Sequence, residues 1–347
     1  MNIIHITHSD LDAVGCDVMI RVFYSMMKRP KNEETNIETF YCNVSMASKT
    51  VWELLDKIKH GLIETPDVIY ITDISIKDKC ADELDSFCKT NYIGLIHIDH
   101  HPTDHLNEKF KWSTVESGEP LKSATLLTYE HFVNTHEVLK ETGVFYRNHK
   151  LIFDDLHELA QKISRYDTWM WKKDPRDFTE EYFNICCNFY GLEDYSKKLV
   201  DAVMYGDTLL DNTDMVIVQQ FLKKREKEIN NFIADPTRIY FKEEDGMKFA
   251  YIMYTGEFSN SIMEAVYLNY PEVDIVVCFF PITRLLSYRS NKPHVDCGKY
   301  ASEKFGGGGH KTAAGAQFID IDVYTSMMNE YYKAVDENKK AARKKKV

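Results

Sequence analysis

Short apolar segments alternate with amphipathic ones through the first third of the chain, and this alternation narrows the possible folds more than any other feature. Runs rich in Ile, Val and Tyr occupy residues 3–7, 37–42, 68–72 and 93–98, with helical periodicity at 13–27, 50–59 and 77–89 between them. Strands that alternate with helices form a parallel sheet covered on both faces. The sequence therefore predicts an α/β fold with a doubly wound sheet, in which ligands bind beyond the carboxyl ends of the strands.

The rest of the chain predicts a connecting helix and a second, smaller α/β domain. Helical patterns cover 121–131, 153–164 and 180–188, and a polar, charge-alternating segment at 211–232 is typical of a long connecting helix. Strand patterns return at 238–242, 248–254, 273–280 and 285–289, with helical patterns at 259–268 and 294–304. We predict a first domain over 1–205, a linker helix over 206–235, a second domain over 236–325, and a C-terminal helix with a basic tail over 326–347.

Three of the predicted strands run directly into acidic and histidine residues. These candidate ligands are His8, Asp10 and Asp12 after the first strand, Asp73 after the third, and Asp99, His100 and His101 after the fourth. Neighbouring ends of parallel strands should bring them into one crevice. So many carboxylates would repel one another without a counter-charge, and oxygen and imidazole ligands without thiolate favour Mn²⁺ or Mg²⁺.

Each of these residues has an ordinary structural alternative. Asp10 or Asp12 could cap the helix that follows, because aspartate is a preferred capping residue. Asp73 could be a turn residue, and His100 and His101 could be loop histidines. Only their joint occurrence at three strand ends indicates a metal site.

Charge and cysteine usage limit the partners and the compartment. The net charge of −11 disfavours a protein that coats a nucleic-acid backbone, but it is compatible with a small nucleotide beside metal ions. The basic run at 339–346 is either a solvated, frayed tail or a weak electrostatic hook for RNA. Eight cysteines without a C-x-x-C pair, and no signal-peptide or membrane-spanning pattern, predict reduced thiols, a cytoplasmic location and no membrane partner.

The motifs resemble those of the DHH phosphoesterase superfamily. Asp99, His100 and His101 match the triplet that names the family, and Asp10-x-Asp12 and Asp73 resemble its first two motifs. Asp167, an isolated aspartate in the helical region, resembles the fourth motif. The segments at 287–290 (S-Y-R-S) and 307–310 (G-G-G-H) resemble elements of the DHH-associated C-terminal domain. The resemblance covers about residues 1–320.

This resemblance implies two Mn²⁺ ions, with Mg²⁺ as the alternative. The implied ligands are Asp10 and Asp73 for one ion, and Asp12, His100 and Asp167 for the other, with Asp73 bridging and Asp99 a further candidate. Many members carry a histidine four residues before the first aspartate, where this chain has Ile6. His8, placed as in the oligoribonuclease-like branch, is the candidate substitute.

The resemblance also implies roles in catalysis and substrate binding. Asp73, His100 and His101 are the candidate catalytic residues, with His101 contacting phosphate. Consecutive glycines let backbone N–H groups approach a phosphate, and the K-T-A-A sequence after them predicts a helix whose positive end lies nearby. The predicted substrate-binding residues are Arg289, Ser290, Gly307, Gly308, Gly309 and His310. A flexible linker is the alternative for this glycine stretch, and the strand and helix patterns that flank it disfavour that alternative.

The function implied is hydrolysis of short oligonucleotides, RNA or DNA, to nucleoside 5′-monophosphates, as in the nano-RNase branch of the family. Linear or cyclic dinucleotides, or 3′-phosphoadenosine 5′-phosphate, are alternative substrates. A binding protein that has lost its metals is the non-enzymatic alternative, and the intact set of motifs disfavours it. The sequence determines neither the direction of attack nor the oligomeric state, for which a homodimer stays open.

Overall fold

The computed structural model describes residues 1–28, 34–102, 104–145, 149–173, 179–309, 311–318 and 320–344. This described part of the chain divides into two compact units, 1–219 and 220–347. A long helix, Asn212–Ile233, runs across the boundary between them. Each unit is built around its own sheet.

The first unit contains a parallel sheet and most of the helices. Its strands are β1 (Asn2–Thr7), β2 (Asn36–Tyr41), β3 (Val68–Thr72), β4 (Gly94–Asp99) and β5 (Ser113–Val115). Its helices are α1 (Leu11–Ser25), α2 (Ala47–Lys59), α3 (Asp78–Asn91), α4 (Leu106–Lys109), α5 (Ala124–Leu139), α6 (Lys150–Asp167), α7 (Met170–Lys173), α8 (Thr179–Tyr190), α9 (Leu192–Tyr205) and, across the boundary, α10 (Asn212–Ile233).

All five strands of this sheet are parallel, in the order β2-β1-β3-β4-β5. Residues of one parity on β1 and β3, including Ile4 and Ile69, pack with α2 and α3 on one face. Residues of the other parity face α1 and α5, where the Tyr70 hydroxyl lies 2.9 Å from that of Tyr24 and its ring packs near Phe132. Alternate residues of a strand point to opposite faces, so both faces are covered. The predicted doubly wound α/β sheet is confirmed.

The second unit is a smaller α/β domain with a mixed sheet. Its elements are β6 (Tyr240–Glu244), β7 (Met247–Met253), α11 (Ser259–Asn269), β8 (Ile275–Phe280), β9 (Leu285–Arg289), α12 (Cys297–Phe305), β10 (Gly308–Gly309), β11 (Ala313–Gln317) and α13 (Ile321–Lys344). The strand order is β10-β11-β9-β8-β7-β6, with only β7 and β8 parallel. One face of this sheet packs with α11, through residues such as Ile252 and Ile262, and the other packs with α12 and α13, through residues such as Tyr331.

Two local predictions in the second unit are wrong. Residues 311–314 do not begin a helix: Ala313–Gln317 forms β11, which pairs with β9 and β10. Ala and Gly have no side chains that resist an extended backbone, and two neighbouring strands satisfy the hydrogen bonds of this segment. The C-terminal segment is helical through Lys344, the last described residue, rather than frayed, and Lys340 pairs there with Asp336 one turn earlier.

All eight cysteines lie in the described part of the chain, none is in a disulfide, and all except the half-buried Cys42 are buried. Among the described helices none combines the length and the apolar character that a bilayer span requires.

At Gly15 the helix α1 packs closely on α5 and α6, and a side chain there should destabilise the fold. A Cβ at this position would lie 2.1 Å from Oγ1 of Thr125 on α5 and 2.8 Å from Cδ1 of Ile163 on α6. Overpacking a close contact costs about 1–3 kcal/mol. We expect Gly15→Ala to lower the free energy of unfolding by this amount in a denaturant titration.

Gly118→Ala is the matched control, because a Cβ there meets nothing within 4 Å. Its unfolding midpoint should stay close to that of the wild type. Equal midpoints for the two variants would contradict the close approach of α1 to α5 and α6.

Candidate metal centre

The strand order places the candidate ligands at the point where the connections of the sheet reverse. From β1 the chain first passes to β2 on one side and then returns to β3 on the other, so the loops after β1 and β3 diverge and leave a crevice. His8, Asp10 and Asp12 follow β1, and Asp73 follows β3. The convergence expected from the sequence is therefore a consequence of this topology.

The first group of ligand atoms combines His8, Asp10 and Asp73, whose candidate atoms lie within 4.8 Å of one another. Nδ1 of His8 lies 2.7 Å from Oδ2 of Asp10 and 3.9 Å from Oδ2 of Asp73. The other oxygen of Asp10 accepts a 3.0 Å hydrogen bond from the N–H of Ala13 and caps α1. The capping alternative is thus correct for one oxygen of Asp10, and it leaves the second oxygen for a cation.

The second group combines Asp12, His100 and Asp167, the last residue of α6. Nε2 of His100 lies 3.7 Å from Asp12 Oδ2 and 3.6 Å from Asp167 Oδ2. It also lies 3.4 Å from Oδ1 of Asp73. One oxygen of Asp73 therefore faces each group, which is the arrangement that a bridging carboxylate requires.

Asp12 is held by the start of a helix from another part of the chain. Its two carboxylate oxygens accept hydrogen bonds from the N–H groups of Ala124 (2.8 Å) and Thr125 (2.9 Å), in the first turn of α5. These N–H groups have no partner inside the helix, and the helix dipole is positive at this end. The buried negative charge of Asp12 is therefore stabilised before any cation binds.

The carboxylate of Asp73 has no comparable hydrogen bonds from a helix N-terminus among the described residues. Its side chain is 2% exposed, and its Oδ2 has no hydrogen-bond partner among the described residues. Burial, and then the charges of Asp12 and Asp10, raise the pKa of Asp73 well above its usual range. Burial and the same two carboxylates also raise the pKa of Asp167. An unpartnered buried oxygen among carboxylates and imidazoles, without a thiolate in either group, fits a hard divalent cation.

Asp99 holds the turn that presents the two histidines. Its Oδ1 accepts hydrogen bonds from the backbone N–H groups of His100 (2.7 Å) and His101 (3.3 Å) and contacts Nδ1 of His101 at 2.7 Å. This contact raises the pKa of His101 to about 8. Asp99 is fully buried and also belongs to a group with Asp73, His100 and His101. Its observed contacts orient the histidines, and its use as a ligand stays a prediction.

Two solved structures are similar to this chain over nearly its full length. The pGpG-specific phosphodiesterase PggH from Vibrio cholerae aligns with a TM-score of 0.50 at 14% identity, over 96% of this chain and 99% of that one. RecJ in complex with Mn²⁺ from Thermus thermophilus aligns with a TM-score of 0.50 at 14% identity, over 99% of this chain and 52% of that one. Both proteins are DHH-superfamily members.

This chain has the DHH fold. The resemblance inferred from its motifs is thereby confirmed at the level of the fold. No family model and no curated protein matches the sequence.

A buried polar network next to the two candidate ligand groups was not anticipated from the sequence. Nε2 of His5 lies 2.8 Å from the hydroxyl of Thr72, and its Nδ1 lies 3.2 Å from Asp17 Oδ1. Burial lowers the pKa of His5, so it is neutral and can use one ring nitrogen as donor and the other as acceptor. The one sequence signal was a histidine between two buried isoleucines of β1. Because Thr72 directly precedes Asp73, this network helps to fix the turn that carries Asp73.

Of the predicted substrate-binding residues, Gly307 lines a pocket in the second unit, and Arg289 contacts another residue of its lining. The pocket has a volume of about 430 Å³ and is lined in part by Asn260, Leu286 and Gly307. Nη2 of Arg289 donates to Oδ1 of Asn260 at 2.9 Å, which places the guanidinium at the rim of the pocket. Ser290 is buried, and its hydroxyl donates to the carbonyl of Asp274 and accepts from the N–H of Lys292. That hydroxyl therefore supports the loop after β9 in this structure.

The consecutive glycines serve different purposes in the fold. Gly306, at φ 63°, ends α12, and the N–H of Gly307 returns to the carbonyl of Ala301. A Cβ at Gly307 would lie 2.2 Å from the carbonyl oxygen of Gly315, and one at Gly309 would lie 2.6 Å from that of Ala313. Gly308 alone of the three predicted glycines has open space around its Cβ position. His310 lies outside the described residues.

Neutralising Asp73 should abolish the stabilisation of the protein by Mn²⁺. In the wild type, saturating Mn²⁺ should raise the melting temperature, because a ligand at about one hundred times its Kd adds about 2.7 kcal/mol. Asp73→Asn should lose most of this increase, since both ligand groups depend on Asp73. The metal-free variant should melt at or above the temperature of the metal-free wild type, because one of several mutually repelling carboxylates is gone.

Asp56→Asn provides the control, because Asp56 is an exposed carboxylate on α2 whose ion-pair partner is the neighbouring-turn residue His60. It should keep the full increase with Mn²⁺. A full increase in Asp73→Asn as well would show that Asp73 is not a shared ligand.

Proposed function

We propose that this chain is a metal-dependent phosphodiesterase that hydrolyses short oligonucleotides to nucleoside 5′-monophosphates. The observation that carries this proposal is the position of Asp73, whose two oxygens face two separate groups of oxygen and imidazole ligands. Such an arrangement suits a pair of divalent ions, which supply an activated water and neutralise charge on the phosphate when they are bound. We propose Mn²⁺ for both positions, with Mg²⁺ as the alternative.

We propose two roles for the residues of the centre: most would hold the ions, and His101 would contact the phosphate. His8, Asp10 and Asp73 would hold one ion, and Asp12, His100 and Asp167 the other, with Asp73 shared. His101 is half-exposed and engages Asp99 through Nδ1, so its Nε2 is directed away from that carboxylate. With a pKa of about 8, its imidazole is largely protonated at neutral pH. It can therefore donate a hydrogen bond to a phosphate oxygen or a proton to the leaving group.

The substrate is proposed to be short and to be recognised partly in the second unit. The net charge of −11 opposes binding of a long polyanion. Arg289 contacts the rim of a pocket whose lining residues are mostly apolar or small. A positive charge beside such a pocket suits a nucleotide, which has a charged phosphate and a flat base. We propose that Arg289 and the backbone at 307–309 contact the phosphate or base of the terminal nucleotide, together with His310.

A dinucleotide is the second candidate substrate. PggH, which shares this fold over nearly its full length, is described as specific for pGpG. A linear dinucleotide is also the shortest oligonucleotide, so the two proposals differ in chain-length preference rather than in chemistry. The non-enzymatic alternative would leave the gathered carboxylates and imidazoles without a purpose.

Asp73→Ala should abolish turnover on every substrate of a panel that contains pApA, RNA 2- to 10-mers, cyclic dinucleotides and 3′-phosphoadenosine 5′-phosphate. The expected loss is about three orders of magnitude, because the shared carboxylate supports several kcal/mol of transition-state stabilisation. Products should be resolved by chromatography with Mn²⁺ present. Asp56→Ala serves as the control and should retain wild-type rates. Activity that persists in Asp73→Ala would refute the assigned metal centre, and a wild type inactive on the whole panel would favour a binding protein.

Arg289→Ala should weaken substrate capture with little change in the chemical step. A hydrogen bond to a charged group contributes about 1.5–3 kcal/mol, so KM should rise from about tenfold to about a hundredfold while kcat changes little. Arg289→Lys should recover only part of the loss if the planar guanidinium is needed. Lys333→Ala, which removes an exposed positive charge from α13, is the control. An unchanged KM in Arg289→Ala would exclude this residue from the substrate site.

A further inference from the structure

Trp169 is an exposed aromatic residue directly beside a candidate metal ligand. It follows Asp167 by two residues, so their Cα atoms lie no more than about 7 Å apart. Its side chain is 52% exposed, although large aromatic residues are usually well buried. The neighbouring Trp171 is buried and stacks on Tyr166 with ring centroids 5.6 Å apart. Trp171 therefore provides the aromatic packing of this segment, and the exposed ring of Trp169 contributes little to it.

The backbone holds Trp169 in an unfavourable conformation. Its φ of 60° lies in the left-handed region, which bulky side chains rarely adopt. The conformation is fixed by hydrogen bonds from the N–H of Trp169 to the carbonyl of Tyr166 and from the N–H of Lys172 to the carbonyl of Trp169. Glycine would fit this turn without strain. Strained residues cluster at ligand-binding sites, where the side chain is needed in the strained position.

A positive charge accompanies the exposed ring. Nζ of Lys172 lies 5.4 Å from the ring centroid of Trp169 and 5.4 Å from that of Trp171. An aromatic face beside a cation is the combination that binds single-stranded nucleic acid, in which bases stack and phosphates are attracted. The sequence alone did not distinguish a stacking residue among its many aromatics.

We propose that Trp169 is a stacking platform for a nucleobase of the substrate whose phosphate lies at the metal centre. This inference rests on the proposed phosphodiesterase function and adds a base-binding position to it. A base is separated from its phosphate by one sugar ring, and Trp169 is separated from the ligand Asp167 by one residue. Stacking tolerates every base, so the position selects for the presence of a base rather than for its identity.

The test compares substrates that differ only in one base. The protein variants are Trp169→Gly, which relieves the backbone strain, and Trp169→Phe, which keeps an aromatic ring. The substrates are a dinucleotide and the same dinucleotide with an abasic site in place of either nucleoside. Trp169→Gly should raise KM for the full dinucleotide about tenfold and leave kcat within about twofold. It should leave KM unchanged for one of the abasic substrates, and Trp169→Phe should stay close to wild type.

Tyr92→Gly is a closely matched control. Tyr92 is 95% exposed and also has a left-handed φ of 57°, but it lies between α3 and β4, at the amino edge of the sheet. Its replacement should not change KM for any substrate. An equal loss of affinity for the full dinucleotide and for both abasic dinucleotides in Trp169→Gly, or no loss at all, would overturn the stacking proposal.

Fluorescence separates this proposal from the proposed function. Stacking of a nucleoside monophosphate should quench the emission of the wild type, and Trp169→Phe should lose this quenching. If the wild type shows no turnover but the quenching depends on Trp169, the hydrolytic function fails and the base-binding position stands. If turnover is normal and nucleotides quench both proteins equally, the base-binding position fails alone.

Discussion

The candidate metal centre depends on how buried negative charge is balanced before a cation arrives. Two of its carboxylates are held at helix N-termini: Asp10 caps α1, and Asp12 accepts the first N–H groups of α5. Asp73 receives no such help at its Oδ2, although it is as deeply buried as Asp12. The fold can hold this many acidic groups together because it stabilises some of them locally. Asp73, the residue that faces both ligand groups, is left without this stabilisation at its Oδ2.

Buried polar contacts within the first unit fix the position of Asp73. His5 links Asp17 to Thr72, and Thr7 donates its hydroxyl hydrogen to the carbonyl of Thr72. Asp17 in turn accepts hydrogen bonds from Arg21 and from Ser196 on α9. The network therefore connects distant segments of the first unit to the turn that carries Asp73. Buried polar groups are tolerated when their hydrogen bonds are satisfied, and such networks restrict a core to one arrangement. The backbone of Asp73 lies in the left-handed region at φ 57°, and this network supports the turn that contains it.

The sequence was sufficient for the first sheet and for the gathering of its ligands, because both depend on local patterns. Strands such as Val68–Thr72 are short apolar runs, and the residue after each run must lie at the carboxyl edge. What the sequence could not reveal depends on contacts between distant segments. Asp12 meets the start of α5 more than a hundred residues away. Ala313–Gln317 is a strand only because β9 and β10 flank it, since its composition alone favours no strand.

Side-chain exposure differs strongly across the candidate centre. Asp12 and Asp73 are almost completely buried, His100 is 16% exposed and Asp167 is 28% exposed. His101 and Trp169 are the most exposed of the group, at 45% and 52%. The solvent side of the centre therefore carries His101 and also Asp10, which is 41% exposed. In the proposed function the protonated imidazole of His101 attracts the phosphate, and in the proposed base-binding position the ring of Trp169 accepts a base.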